Sequence, residues 1–487
     1  MLINHEHTPL VDALEEYSNI KAVRLHVPGH GGGPGLPKAM RRSNLPGWDV
    51  TELAGLDDLH NPTGVIAAAQ QSAAELYGAR CTFFLVNGTT VGLQALIAAT
   101  CSKDRALVLP RNVHRSVLGG LVISGASPVF IEPAIVPGFD FAAGFSPDKL
   151  DAALRQSSGA GAVLAVHPCY YGVVGDLDGL SEVCRRHGVP LLVDEAHGTH
   201  LRLHPALPAD ALSLGADAVV QSVHKTGGAL TQASWLHLGG KRVERQRVAD
   251  ALRLLQTSSP SYILMASLDA ARKQLAFKGQ AVLDDLLTLA VDAASRINQI
   301  PGLAVLSKEY LGGPGAVHYD PTRLVISVRK LGIGGYAAAR RLATVHGIYV
   351  EMSDAYNLVA VLSLGTSRAD VMALVGAMAE ISRSVGAGHA ADRNCNGLSP
   401  AGPPLPPQVM TPRRAWLAKQ KKVNIEESRG LVGAEIIAVY PPGIAIIYPG
   451  EEITTEVIEY LLQVRKMGVH IQGAADATIR TIRVVDI

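Results

Sequence analysis

VPLLVDEAHG (189–198) and DAVVQSVHKTGG (217–228) decide how this chain folds. Each is a short, almost unbroken apolar run that stops abruptly on polar and ionisable residues. Apolar runs without polar alternation mark strands covered on both faces, as in a parallel sheet. Working outward, TFFLV (82–86), RALVLP (105–110), SPVFIEP (127–133) and GAVLAVHP (161–168) have the same character. Helical patterns lie between them, such as TVGLQALIAATC (90–101) and LDGLSEVCRRHG (177–188). Repeated strand and helix predict an α/β fold with a central, mostly parallel sheet wound by right-handed crossovers.

Beyond the sheet, the stretch around 265–298 reads as one or two long helices. Residues 302–385 mix strands (LVISV, 324–328) with helices (YAAARRLATVHG, 336–347). The segment 386–412 is rich in Gly, Pro and polar residues and reads as a linker or exposed loop. A compact tail follows, with AEIIAVY, IAIIYPGE and the helix pattern TTEVIEYLLQVRKMG. There is no internal repeat.

Composition narrows the function. At 487 residues the chain exceeds one ordinary core, so a large and a smaller domain are expected. Hydrophobic residues make up 48% and charged ones 18%, which describes a packed globular protein. A net charge of +1 with 5% aromatic residues argues against nucleic acid or an anionic membrane as the partner. The N-terminus lacks a basic region followed by an apolar core, so no secretory leader is expected. The five cysteines form no CxxC pair, which fits reduced thiols in the cytoplasm.

Ligands of open α/β sheets bind beyond the carboxyl ends of the strands, and three features stand at such ends. Lys225 closes the run DAVVQSV and is followed by Gly227 and Gly228. A desolvated lysine loses its proton readily and attacks carbonyls to form an imine. Taken alone, it reads as a strand-end lysine reaching water. Asp194 follows four apolar residues and calls for a charged partner. The pyridinium nitrogen of pyridoxal 5′-phosphate (PLP) is such a partner, because the carboxylate keeps the ring protonated and electron-withdrawing. Equally, Asp194 could cap the next helix. His197, His200 and His204 follow, but their spacing is not HExxH and no metal site is expected. Asn87-Gly88-Thr89-Thr90 lies between a strand and a helix, where free N–H groups and hydroxyls suit a phosphate; alone, either threonine is an ordinary N-cap.

Anion seat, pyridinium partner and imine lysine thus occur in order, each at a strand end. Here the sequence resembles the Orn/Lys/Arg decarboxylases, PLP enzymes of the aspartate-aminotransferase-like fold (fold type I). The resemblance spans nearly the whole chain. It is carried by TPLVDAL (8–14), LHVPGHGGG (25–33), DVTELAGLDDLHNPTGVIAAAQ (49–70), FFLVNGTT (83–90), RNVHRS (111–116) and HPCYYGVVGDL (167–177). VDEAHGTH (193–200), SVHKTGGALTQ (222–232), QTSSPSYILMASLD (256–269), VEMSDAYNLV (350–359) and YPPGIAIIYPGE (440–451) complete it.

The resemblance implies roles. Lys225 is the Schiff-base lysine, and His224 beside it is a proton donor or substrate contact. Asp194 pairs with the pyridinium, His197 lies near the cofactor, and His114 stacks on the pyridine ring. Gly88, Thr89, Thr90 and Ser222 hold the phosphate. Ser258, in TSSPSY (257–262), reaches the neighbouring subunit's site, so a homodimer or homotetramer is implied. The implied division is an N-terminal segment 1–60 packing on the partner, a large domain 61–300, a small domain 301–385, the linker 386–412 and a C-terminal domain 413–487. Gly31 and Arg115 stand where the family often has lysine. The chain begins almost at the TPL motif, which implies a form without the N-terminal wing domain of larger members.

The implied reaction is decarboxylation of a basic amino acid, arginine to agmatine first, in polyamine synthesis, with lysine and ornithine as alternatives. A distal cation needs an acid; Glu435 and Asp354 are the candidates, each equally readable as a structural carboxylate. A second reading keeps the fold as an aminotransferase or lyase, with Arg323 and Arg329 as carboxylate clamps. A third is a non-catalytic protein on the same scaffold, against which Lys225, Asp194 and His114 argue.

Overall fold

A computed structural model describes residues 5–20, 22–43, 45–157, 159–386, 404–440, 443–466 and 470–486. The chain is α/β with a mostly parallel central sheet. Its strands are β1 (Cys81–Leu85), β2 (Ala106–Pro110), β3 (Pro128–Ile131), β4 (Ala160–Val166), β5 (Leu191–Asp194), β6 (Ala218–Gln221) and β7 (Ser234–Leu238). The pairs β2–β3, β2–β4 and β5–β6 are parallel, whereas β1–β7 and β7–β6 are antiparallel. Every residue of β5, β6 and β7 is buried, as their apolar runs require.

Strand β7 is absent from the sequence reading because SWLHL interrupts its apolar pattern with Ser234 and His237. Burial is possible because His237 is hydrogen-bonded on both ring nitrogens, to Thr82 and Gln221. The strand containing Lys225 ends earlier than expected. It stops at Gln221, and Val223–Thr226 form one helical turn. Gly227 closes that turn, its N–H donating to the Val223 carbonyl at 2.7 Å. A Cβ there would lie 2.8 Å from Val223 Cγ1 and 2.9 Å from Thr199 Cγ2, so only glycine fits.

The chain divides into two compact bodies, Met1–Ala99 with Pro190–Val282, and Thr100–Val189 with Leu283–Ile487. In the first, the helix Gly88–Thr100 lies on the sheet. Gly92 permits the approach, since a Cβ would sit 2.7 Å from Leu85 Cδ1 and 2.9 Å from Val220 Cγ1. The helix Val65–Tyr77 is capped from a distance. Asp57, at φ 68°, accepts N–H bonds from Asp58, Thr63, Gly64, Ile66 and Ala67. The helix Pro9–Asn19 is tied down by a fully buried ion pair, Asp269–Arg272, which also binds Leu10 N and the carbonyls of His5 and His7.

In the second body, the helix Leu177–Arg186 has Asp176 as its N-cap and buries Leu177, Leu180, Val183 and Cys184. That spacing lays one apolar stripe on the core. The expected mixed region contains a four-stranded antiparallel sheet built from Ala304–Val305, Arg323–Ser327, Met352–Ser353 and Asn357–Val361. The tail pairs Gln420–Asn424 with Thr481–Val485 and Ile437–Tyr440 with Ile444–Ile447, around a core including Ile437, Leu461, Ile482 and Val484. Residue 386 and residues 404–412 are described; the rest of the expected 386–412 loop lies outside the described residues. The 265–298 pattern is a single 37-residue helix, Tyr262–Asn298.

Candidate active site

The first body gathers most of the residues singled out above. Lys225 is half-buried, and its Nζ lies 2.9 Å from His197 Nε2. His197 is buried on the loop after β5. Asp194, the last residue of β5, is 7% exposed, and its carboxylate accepts the Ala196 N–H at 3.1 Å. Ser222, directly after β6, is buried, and its Oγ lies 3.1 Å from Thr89 Oγ1. Parallel pairing of β5 with β6 sets Asp194 opposite Val220, two residues before Ser222. The sheet register alone therefore brings Asp194 and Ser222 to one edge.

Thr89 sits in the first turn of the helix Gly88–Thr100, which begins earlier than the sequence pattern suggested. Gly88 takes φ 73°, and its N–H donates to the Gln232 carbonyl at 3.1 Å. Thr90 is exposed on the same turn. The helix N-terminus and the hydroxyls of Thr89 and Ser222 lie together, an arrangement whose free N–H groups and hydroxyls suit an anion. Asn87 Oδ1 accepts the Thr257 N–H at 3.1 Å, and His60 Nε2 bonds the Thr257 carbonyl at 2.8 Å, which fixes the start of TSSPSY. Ser258 is exposed there.

His224 Nδ1 lies 3.1 Å from the Ala233 carbonyl. A carbonyl only accepts, so Nδ1 carries a proton and Nε2 of the neutral ring carries a lone pair. Burial, with the Lys225 charge adding to it, holds His224 below the ordinary histidine value. His224 therefore gains the proton it would donate with difficulty.

In the second body, His114 is exposed on the loop after β2, its Nδ1 taking the Ser116 N–H at 3.2 Å. Three residues earlier, Arg111 is buried and bidentate on Glu451, at 2.5 and 2.9 Å. It also donates to the carbonyls of Ala445 and Ile446. Two of the sequence motifs, RNVHRS and YPPGIAIIYPGE, are thus joined by one guanidinium. Neither partner was singled out in the sequence, where a lone Arg and a lone Glu 340 positions apart carry no signal.

The two candidate acids also lie in this body. Glu435 is buried, and its oxygens accept Ala475 N and Arg483 N. Asp354 accepts the Tyr171 hydroxyl at 2.6 Å, the N–H groups of Tyr356 and Asn357, and the Asn357 amide; burial raises its carboxyl. These are the contacts of structural carboxylates. Arg329 pairs with Asp140 and lies 3.9 Å over the Tyr356 ring, and Arg323 is buried. Among the described residues, no group of three His, Cys, Asp or Glu gathers as a metal would require, and no helix is long and apolar enough to cross a membrane.

The family model for the Orn/Lys/Arg decarboxylase major domain matches residues 8–370, and that for the C-terminal domain matches residues 400–478. The chain belongs to the Orn/Lys/Arg decarboxylase family. It is 39% identical to an arginine decarboxylase of Bacillus subtilis over 486 residues, covering 99% of both chains. It is 40% identical to an arginine decarboxylase of Halalkalibacterium halodurans, over 99% of this chain and 98% of the other. Among solved structures, lysine decarboxylase LdcF of Francisella novicida matches with a TM-score of 0.84 at 21% identity, over 98% of this chain and 81% of that one. That likeness shows the fold. The family assignment makes this chain a decarboxylase.

Proposed function

We propose that this decarboxylase converts L-arginine to agmatine and carbon dioxide in polyamine synthesis, with PLP bound through Lys225. The observation that carries the substrate is near-complete alignment, at 39–40% identity, with two arginine decarboxylases. The lysine decarboxylase structure stands at 21%.

The residues present fit PLP. The cofactor needs an amine, an anion seat and a buried carboxylate, and one body supplies all three: Lys225, the Gly88–Thr89–Thr90 turn with Ser222, and Asp194. When bound, PLP supplies the electron sink for loss of the carboxylate. Asp194 holds the ring nitrogen's proton there. The hydroxyls of Thr89 and Ser222, and the helix N-terminus, bind the phosphate. His197 orients the Lys225 amine and shares its proton at 2.9 Å. His114 is assigned to the ring face and Ser258 to the neighbouring subunit's site. Glu435 and Asp354 are fully engaged within their own body, and the proposal assigns the substrate guanidinium to neither.

The chain works in the cytoplasm as a homodimer or homotetramer. Val23, Leu25 and Val27, alternating with Arg24 and His26, are 84%, 91% and 65% exposed, and three exposed apolar side chains so close together call for cover. The test is release of carbon dioxide and amine from arginine, lysine and ornithine. Turnover greatest on arginine, and abolished in Lys225→Ala, supports the reading. A keto acid without carbon dioxide, or wild-type turnover in Lys225→Ala, sinks it.

A further inference from the structure

Behind the site, the first body buries a row of polar side chains that the reaction does not use. Glu195 and Gln221 are each 0% exposed, as is His237, and Thr82 is 4% exposed. Glu195 directly follows Asp194, and Gln221 directly precedes Ser222. The Glu195 carboxyl meets the Ala211 N–H at 2.7 Å and the Gln221 amide at 2.6 Å. The other end of that amide lies 3.2 Å from His237 Nε2, and His237 Nδ1 lies 2.7 Å from Thr82 Oγ1. Tyr77 stacks on His237 at 4.9 Å and gives its hydroxyl to the Thr199 carbonyl. The charged groups facing Glu195 are Asp210 and Arg202, which pair with each other at 3.2 Å.

Two proton arrangements fit this chain. A separation of 2.6 Å is short for N–H···O and ordinary for O–H···O. Amide oxygen and nitrogen are interchangeable in shape, so the network decides which way Gln221 points. With Glu195 protonated, Glu195 O–H donates to Gln221 Oε1, Gln221 Nε2–H to His237 Nε2, and His237 Nδ1–H to Thr82 Oγ1; with Glu195 ionised the chain runs the other way, from Thr82 through His237 and Gln221 to Glu195, and leaves a fully buried charge whose bonded partners, Ala211 and Gln221, are neutral.

We propose that Glu195 is a neutral carboxylic acid, and that Glu195, Gln221, His237 and Thr82 form a positioning unit. The unit locks the β5 end carrying Asp194 to the β6 end carrying Ser222 without adding a second negative charge beside Asp194. The inference rests on the reading of Asp194 as the cofactor's ring partner. Burial, with Asp210 adding to it, pushes the Glu195 carboxyl up, and burial holds His237 down at about 3.

Glu195→Gln reproduces the protonated acid, with an amide N–H in place of the O–H. Its PLP dissociation constant, measured by equilibrium titration of the apoprotein, is expected within about twofold of wild type, whereas Glu195→Leu and Gln221→Leu weaken binding about tenfold or more. Infrared difference spectra of the apoproteins, wild type minus Glu195→Gln, are expected to show the C=O stretch of a protonated carboxyl at neutral pH. That measurement stands if the leucine variants fail to fold. A carboxylate band in its place, or Glu195→Gln binding PLP as weakly as Glu195→Leu, overturns the proposal. Asp194→Ala separates the two readings. If it leaves PLP affinity unchanged, the reading of Asp194 fails. If it weakens PLP while Glu195→Gln does so too, only the present inference fails.

Discussion

Glu451→Ala removes the acceptor that holds Arg111. Glu451 is 0% exposed and takes both guanidinium N–H bonds, at 2.5 and 2.9 Å, together with the Tyr448 N–H at 2.7 Å. Breaking a buried pair from one side costs about 3–5 kcal/mol, because the remaining charge stays buried. The carbonyls of Ala445 and Ile446 and the faces of Phe130 and Tyr448, at 4.6 and 5.0 Å, still serve the cation and hold the loss toward the lower end. The orphaned Tyr448 N–H adds roughly 1 kcal/mol or more. The balance is a loss of about 4 kcal/mol, near a thousandfold in the folding equilibrium. Differential scanning calorimetry reads it as a fall of roughly 6 °C in the transition of the body containing both residues. The double variant Arg111→Met/Glu451→Met is expected to recover about 2 kcal/mol relative to the sum of the single changes, because no charge is left stranded. A loss under about 1 kcal/mol for Glu451→Ala would refute the argument, since that is the range of a water-exposed pair.

Two further changes probe the body that holds Lys225. Gly92→Ala drives a methyl to within 2.7 Å of Leu85 and 2.9 Å of Val220, and is expected to cost about 1–3 kcal/mol in urea denaturation despite alanine's better helix propensity. Asp57→Ala leaves five N–H groups without their carboxylate and is expected to cost about 2 kcal/mol. Those N–H groups hold Asp57 below its ordinary carboxyl value despite burial. Its stabilising contribution is therefore complete above about pH 4 and is lost as pH falls through the depressed value; the variant's stability deficit should shrink with it.

The sheet was legible because its strands are covered on both faces. β5 and β6 are written as apolar runs, and the site residues stand where those runs stop. Lys225, Asp194 and the Gly88–Thr90 turn each have an ordinary structural reading alone, and only their order at successive strand ends drew attention to them. What escaped the sequence is what burial hides. β7 carries His237 in an apolar strand, a mismatch until Thr82 and Gln221 take up its ring nitrogens. Glu195 reads as part of a motif, and only the structure shows that it is fully buried. Arg111 and Glu451 are far apart in the chain, and long-range pairing leaves no periodic trace. Lys225 reads as the end of a strand, but the chain turns into the helical turn Val223–Thr226, closed by Gly227 packed against Val223 and against Thr199 from the loop after β5.

Under the proposed function, the proton returned to the substrate carbon comes from Lys225 or from His224, and their hydrogen bonds differ. His224 keeps its one proton on Nδ1, bound to the Ala233 carbonyl at 3.1 Å, and burial keeps the ring neutral below its ordinary titration range. To donate from Nε2 it must first be protonated, which burial and the adjacent Lys225 charge oppose. Lys225 faces His197 at 2.9 Å and exchanges its proton without desolvating a new charge. His224→Gln, which retains an N–H for Ala233, is therefore expected to lower kcat less than about tenfold and to leave the acid limb of the kcat–pH profile in place. Lys225→Ala is expected to abolish turnover, with small primary amines added to the buffer restoring part of it. If His224→Gln instead loses activity as completely as Lys225→Ala while binding PLP normally, or shifts the acid limb, the donor is His224 and the tautomer argument fails.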